Sequence, residues 1–222
     1  MNEQSSTEII KQALLTRILN GTFGVDERLN ENQIANEFNV SRGPVREALR
    51  SLEEARLVTS VRNRGVFVRK VDIEEALHLY DVRAGLAYVA GGLLAQRATA
   101  EQIIKLFAYF ESMEREREQH NSEAYFKINE KFHRDLMRFA GNPRLIELSE
   151  GIDRELRVFL RYGVAGMSQL RTSNEQHKAL VECIAEGDEN GASEAFYTHV
   201  ATGKLRALDS LVAKSGDSHA DS

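Results

Sequence analysis

Ser41-Arg42-Gly43-Pro44-Val45-Arg46-Glu47-Ala48-Leu49-Arg50 reads as the opening of a helix with an apolar back and a cationic front. Ser41 has an N-capping side chain, and Pro44 is tolerated because first-turn N–H groups have no intrahelical partner to lose. Val45, Ala48, Leu49 and Leu52 recur at helical spacing and form the buried stripe. Arg42, Arg46 and Arg50 are four residues apart, so they share a face away from that stripe. Three cations in line, with only Glu47 among them, are a poor way to stabilise a fold. They are a good way to meet phosphates and guanine edges.

The flanks fit the same reading. Asn30 to Phe38 predicts a short helix capped by Asn30, and Asn39-Val40 predicts a tight turn into Ser41. The pair makes a helix-turn-helix whose second helix suits the major groove. Leu57 to Val61 and Val66 to Val68 alternate like strands around Arg62-Asn63-Arg64-Gly65, a hairpin with two more arginines at its tip. Residues 41 to 70 hold eight Lys/Arg against three Glu, a local +5 in a chain of net charge -5. A solvated basic face is the bland alternative, and this charge asymmetry weighs against it.

Leu29 to Val68, above all Val40-Ser41-Arg42-Gly43-Pro44-Val45-Arg46-Glu47-Ala48-Leu49 followed by Asn63-Arg64-Gly65, resembles the winged-helix domain of GntR-family bacterial transcription regulators. The resemblance implies double-stranded operator DNA as partner, with Ser41, Arg42, Arg46, Arg50, Arg64 and Gly65 at the interface. One departure is upstream. The family has Pro-Gly before the Arg-Leu pair, whereas Val25-Asp26 stand here, which is expected to loosen that turn.

The chain of 222 residues, 42% hydrophobic and 28% charged, can bury a real core. No apolar run approaches a membrane span, and Met1 to Ser6 is polar, so neither membrane nor secretion is expected. The lone Cys183 excludes an internal disulfide and suits a reducing cytoplasm. Thr7 to Asn20 predicts a first helix with Ile10, Leu14, Leu15 and Ile18 inward and Gly21 as its stop. The N-terminal domain is placed at 7–70 and a second domain at 72–213, with 214–222 a disordered tail. Asp72 reads as the cap of the second domain's first helix, and almost no linker separates the two.

Six helices are expected in that second domain, near 73–97, 99–119, 122–140, 143–163, 168–187 and 189–213. The fold class is therefore mostly α, a winged helix-turn-helix followed by a six-helix antiparallel all-α bundle. Gly85, Gly91 and Gly92 lie inside the first bundle helix, where each costs about 1 kcal/mol relative to alanine. Close approach of another helix, within the bundle or across a dimer, would make use of them. Phe126, Asn129, His133, Leu136, Met137 and Ala140 share one face of the third bundle helix. His177 sits with Leu170, Leu180, Val181 and Ile184, and His199 with Ala192, Ala195 and Phe196. One inward histidine is usually a hydrogen-bonded core residue. Three on the apolar faces of three helices point to a shared cation.

Residues 73 to 213 resemble the FCD ligand-binding domain of the FadR-type branch of GntR regulators. Phe132-His133 followed by Gly141-Asn142-Pro143, and the 22-residue step from His177 to His199, carry the likeness. It implies a homodimer and a divalent metal held by an aspartate and three histidines. Here the aspartate position is Asn129, so the metal set becomes Asn129, His133, His177 and His199, with Zn²⁺ or Ni²⁺ favoured by imidazole. The alternative is an apo pocket in which these residues bind an effector directly. Arg83 matches an arginine that points into the family's cavity, but the glutamate one turn on is replaced by Ala87. A small organic acid paired with Arg83 beside His133, His177 and His199 is the expected effector. An ion pair of Arg83 with an acidic residue, such as Asp81 or Glu155, is the structural alternative.

A ligand-responsive DNA-binding regulator acting as a dimer on a pseudo-palindromic operator follows, with repression the family's commoner mode. A metal-dependent hydrolase built on the three histidines is the alternative. No acid on the same inward faces stands out as its general base, and it would leave the basic helix unexplained.

Overall fold

The computed structural model describes residues 5–160 and 167–217. The chain forms two compact units, one of residues 1–76 with 151–161 and the other of 77–150 with 162–222.

In the first unit, α1 (Ser6–Asn20) is capped by Ser5, whose side chain accepts from the Glu8 N–H, and it stops at Gly21 with φ 88°. Two residues then form β1 (Arg28–Leu29), and α2 (Glu31–Glu37) follows, capped by Asn30 as expected. Asn39, at φ 52°, turns the chain into α3 (Arg42–Glu54). Ser41 stands at the α3 cap with extended backbone, but its hydroxyl makes no cap hydrogen bond, contrary to the sequence expectation. The hairpin is β2 (Val58–Val61) and β3 (Gly65–Val68), and β1 adds an unexpected third strand in the order β1-β3-β2. All pairs are antiparallel, with Arg28 opposite Phe67 and Val61 opposite Gly65.

The turn before β1 is held rather than loosened. Asp26 itself adopts the left-handed conformation at φ 62°, which aspartate tolerates better than most side chains. Its N–H donates to the Val68 carbonyl at 3.1 Å, and Val68 N–H returns to the Glu27 carbonyl at 2.9 Å. Ile10, Leu14 and Ile18 of α1, Val45, Ala48, Leu49 and Leu52 of α3, and Val58, Val66 and Val68 of the sheet share one core. Each such side chain contributes about 1.5–3 kcal/mol by leaving water, enough to hold α3 with its arginines outward.

Residues 151–160 of the helix α7 (Pro143–Leu160) group with this unit as well. Val158 joins the core, and Arg69, after β3, pairs with Glu155 at 2.9 Å and with Glu75.

The second unit contains most of α4 (Ile73–Arg97), then α5 (Ala100–Glu118), α6 (Ser122–Phe139), the start of α7, α8 (Met167–Glu186) and α9 (Glu189–Asp217). Thr99 and Gln102 form a capping box at α5, and Asn121 caps α6. Helix α5 packs against α6 and α8, and α8 against α9. The glycines of α4 separate into two uses. A Cβ at Gly91 would collide with the Ala192 carbonyl, and one at Gly92 would press on Ser193 Oγ, so this stretch lets α9 approach. A Cβ on Gly85 would meet nothing within 4 Å. Helix α9 runs to Asp217, so residues 214–217 are helical rather than a disordered tail. The expected break at Gly163 to Gly166 lies outside the described residues.

Candidate nucleic-acid interface and histidine site

Helix α3 presents Arg42, Arg46 and Arg50 on its exposed side, as its buried stripe requires. Two of the three meet acids that sequence reasoning did not assign. Arg46 Nε donates to Glu31 Oε2 at 2.7 Å, from the first turn of α2, and Arg50 Nε to Glu54 at 3.3 Å. Exposed pairs of this kind contribute about 0.2–1 kcal/mol, so phosphate oxygens can replace the carboxylates at little cost. In the wing, Asn63 at φ 61° and Gly65 at φ 107° make the turn. The Arg64 guanidinium lies 5.7 Å from the Phe67 ring centroid. Gly65 is needed for its φ of 107°, and the Arg28 guanidinium lies over it, with Nε 3.0 Å from where a Cβ would stand. Arg28, opposite Phe67 in β1, therefore joins Arg62 and Arg64 as a third wing arginine.

In the bundle, helix periodicity turns His133 of α6, His177 of α8 and His199 of α9 toward one another. His177 is 0% exposed and His199 5%. His199 Nε2 lies 3.2 Å from His177 Nε2 and 3.1 Å from His133 Nε2, and all three donor atoms fall within 4.8 Å. The rings of His133 and His199 stack at 4.9 Å, and the buried Phe132 ring lies 4.8 Å from His177.

Three imidazole nitrogens at one point cannot all be satisfied by one another, because an N–H···N bond joins only two. Ligands on a common Zn²⁺ at about 2.0–2.1 Å stand roughly 3.3–3.4 Å apart in a tetrahedral set, close to the spacing seen. Asn129 lies one turn before His133 on α6, and its Oδ1 is buried without a hydrogen-bond partner. A lone-pair donor left in this condition fits a fourth ligand. The residues present therefore fit a divalent cation, with Asn129 supplying a neutral oxygen.

The remaining expectations divide. Phe126, read as part of the inward face, is 37% exposed, whereas Phe132 is fully buried. Arg83 is half-buried with its guanidinium 5.8 Å from the Tyr80 ring centroid. Of the acids named above, Asp81 pairs with Lys204 and Glu155 with Arg69.

A buried carboxylate that sequence reasoning missed lies two residues beyond His133. Asp135 accepts from Lys105 at 2.8 Å and from the Tyr109 hydroxyl at 3.0 Å. Burial pushes its carboxyl up, but Lys105 and Tyr109, with Arg138 nearby, outweigh burial and hold it below the ordinary aspartate value. Tyr109 meets the Phe132 ring edge-on at 6.2 Å, so the network braces the helix that carries His133.

Comparison with known proteins agrees with both regions. The family model described as bacterial regulatory proteins, gntR family, matches residues 6–68, and the FCD domain model matches residues 78–202. The chain belongs to the GntR family of transcription regulators. The Nta operon transcriptional regulator of Aminobacter aminovorans is 30% identical over 80% of this chain and 83% of its own. An uncharacterised helix-turn-helix regulator of Bacillus subtilis, YdhC, is 29% identical over 82% of both chains. The solved structure of McbR/YncC from E. coli covers 93% of this chain and 99% of its own with a TM-score of 0.73, at 18% identity. Three further relatives carry the word repressor in their names.

The relatives named above are transcription regulators, and their names give the hydrolase alternative no support. No helix among its described residues is long and apolar enough to cross a membrane.

Arg28, Glu31, Asp135 and Gln176 escaped the sequence reading. Arg28 was missed because it lies on β1, the strand that the sequence did not announce and that pairs directly with β3 of the wing. Gln176 was hidden beside His177, since adjacent helical positions point in different directions.

Proposed function

We propose that this chain binds a pseudo-palindromic operator as a homodimer in the cytoplasm and represses transcription until a small carboxylate effector enters the histidine site. The observation that carries the ligand-responsive part is the convergence of three Nε2 atoms, with the buried Asn129 Oδ1 one turn before His133 on α6 and without a hydrogen-bond partner. Asn129, His133, His177 and His199 would hold a divalent cation, Zn²⁺ or Ni²⁺, which would supply positive charge to the site. Asn129 brings no charge where the family has aspartate, so the loaded site is one unit more positive and better suited to an anion. The half-buried Arg83 guanidinium adds to that preference and offers a bidentate partner.

On DNA, Arg42 and Arg46 read bases, Arg50 holds the backbone, Ser41 meets a phosphate near the helix start, and Arg64 with Gly65 approaches the flanking groove. Dimerisation is supported by a stripe on α4 that the bundle leaves open. Val82 is 56% exposed, Tyr88 41% and Val89 49%, and Gly85 between them has space for a neighbour. Control requires the effector to bind the DNA-competent and DNA-incompetent states with different affinity.

Selection of genomic fragments by the purified protein, followed across a salt series, tests this reading. A palindromic site is expected, with affinity falling steeply as salt rises because several phosphates are neutralised. Weak binding without sequence preference would contradict it.

A further inference from the structure

We propose that Gln176, held by Thr202, is the positioning residue that fixes the His199 tautomer with its Nε2 lone pair facing His133 and His177. The proposal rests on reading the histidine cluster as a cation site. Thr202 Oγ1 donates its only proton to the Thr198 carbonyl at 2.7 Å, one turn back on α9. Toward Gln176 the hydroxyl can therefore only accept, and Gln176 Nε2 donates to it at 3.2 Å. That bond orients the amide and brings Gln176 Oε1 to 3.2 Å from His199 Nδ1. A carbonyl oxygen only accepts, so Nδ1 carries the proton. A neutral imidazole has one N–H, which leaves Nε2 bare.

Nε2 is the atom at 3.1 and 3.2 Å from its two neighbours. Without Gln176, His199 could carry its proton on Nε2 and donate to His133 or His177. A proton would then close the centre of the cluster and compete with a cation. The chain Thr198–Thr202–Gln176–His199 thus keeps the site open in the metal-free protein and strengthens His199 as a donor when loaded. Gln176 touches no cation itself; it acts through His199.

The test uses the full chain. Long-range ¹⁵N NMR of the metal-free protein reads the protonated ring nitrogen of His199. Competition with a chromophoric chelator reads affinity for Zn²⁺ and for Ni²⁺. Wild type is expected to show the Nδ1–H form. Gln176→Leu is expected to shift His199 toward the Nε2–H form and weaken metal binding about 10–100-fold. Gln176→Glu, which still accepts from Nδ1, is expected to restore both the tautomer and the affinity. Thr202→Val preserves shape and is expected to give a smaller loss in the same direction, which keeps the test informative if Gln176→Leu folds poorly. An Nε2–H signal for wild-type His199, or unchanged tautomer and affinity in Gln176→Leu, would overturn the role of Gln176 alone. Failure of wild type to bind either ion would overturn the cation reading and the inference with it.

Discussion

Arg46 of α3 and His177 of α8 stand at opposite ends of the exposure scale. The Arg46 side chain is 61% exposed and shares one bond with Glu31, whereas His177 is 0% exposed among aromatic rings and two other imidazoles. In water, a charge costs little to hold and little to release, so the arginines of α3 and the wing are available to any polyanion that fits their spacing. In the bundle, a buried polar ring persists only where its hydrogen-bonding groups are engaged. The first region is selected for what it meets outside the molecule. The second is the proposed seat of a bound cation. Substitution at α3 should therefore change binding and leave stability alone, while substitution in the bundle should show first in stability and in its response to metal.

The largest effect expected is at Phe132, which packs against His177, His133 and Tyr109. Phe132→Ala should cost about 3–5 kcal/mol in denaturant unfolding, because the large cavity it leaves cannot fully collapse. His177→Leu separates packing from ligation. Replacing the buried imidazole by an apolar group of similar size keeps the packing but removes the partner that His199 Nε2 meets at 3.2 Å, so the metal-free protein should lose about 1–3 kcal/mol. The same variant should lose the stabilisation that zinc gives wild type, about 2.7 kcal/mol at a hundredfold excess over the dissociation constant. Wild-type zinc response in that variant would break the contrast between the regions.

At α3, Arg46→Ala should cost ~1–3 kcal/mol of discrimination between operator and random DNA, measured by competition, without moving the thermal midpoint. A mutant with unchanged preference would remove Arg46 from base reading.

The pattern of these effects also explains how much was legible beforehand. Val45, Ala48, Leu49 and Leu52 repeat at helical spacing, so the buried back of α3 and its cationic front were readable from one element alone. The same logic turned His133, His177 and His199 inward, since each sits among apolar neighbours at the right offsets. What a helix face meets is a different matter. Glu31 reaches Arg46 across fifteen residues, Gln176 reaches His199 across twenty-three, and Arg28 covers Gly65 from another strand. Periodicity reports the direction of a side chain and carries nothing about its partner. Phe126 shows the same limit from the other side, because it lies at the rim of a stripe whose centre is Phe132 and Leu136.

Two smaller effects sharpen the comparison. Asp135 has a folded pKa below the ordinary aspartate value, so its contribution is present above that value, near pH 3.9, and is lost as pH falls through the folded value. With Lys105 half exposed, the contribution is about 1 kcal/mol. Asp135→Asn should flatten the acid limb of the stability profile by that amount, measured by urea unfolding between pH 3 and 6 (about the aspartate range). Glu31→Gln should shift stability by less than about 1 kcal/mol. It should also release Arg46, raising affinity for random DNA and narrowing the preference for operator in the same competition assay.

The most direct test of the histidine site is anomalous X-ray diffraction from crystals of the full chain loaded with zinc or nickel, recorded at the edge of the metal used. The account predicts a single strong peak per chain, in bonding contact with the Nε2 atoms of His133, His177 and His199 and beside Asn129 Oδ1. Fully loaded crystals with no peak among those three nitrogens would contradict it.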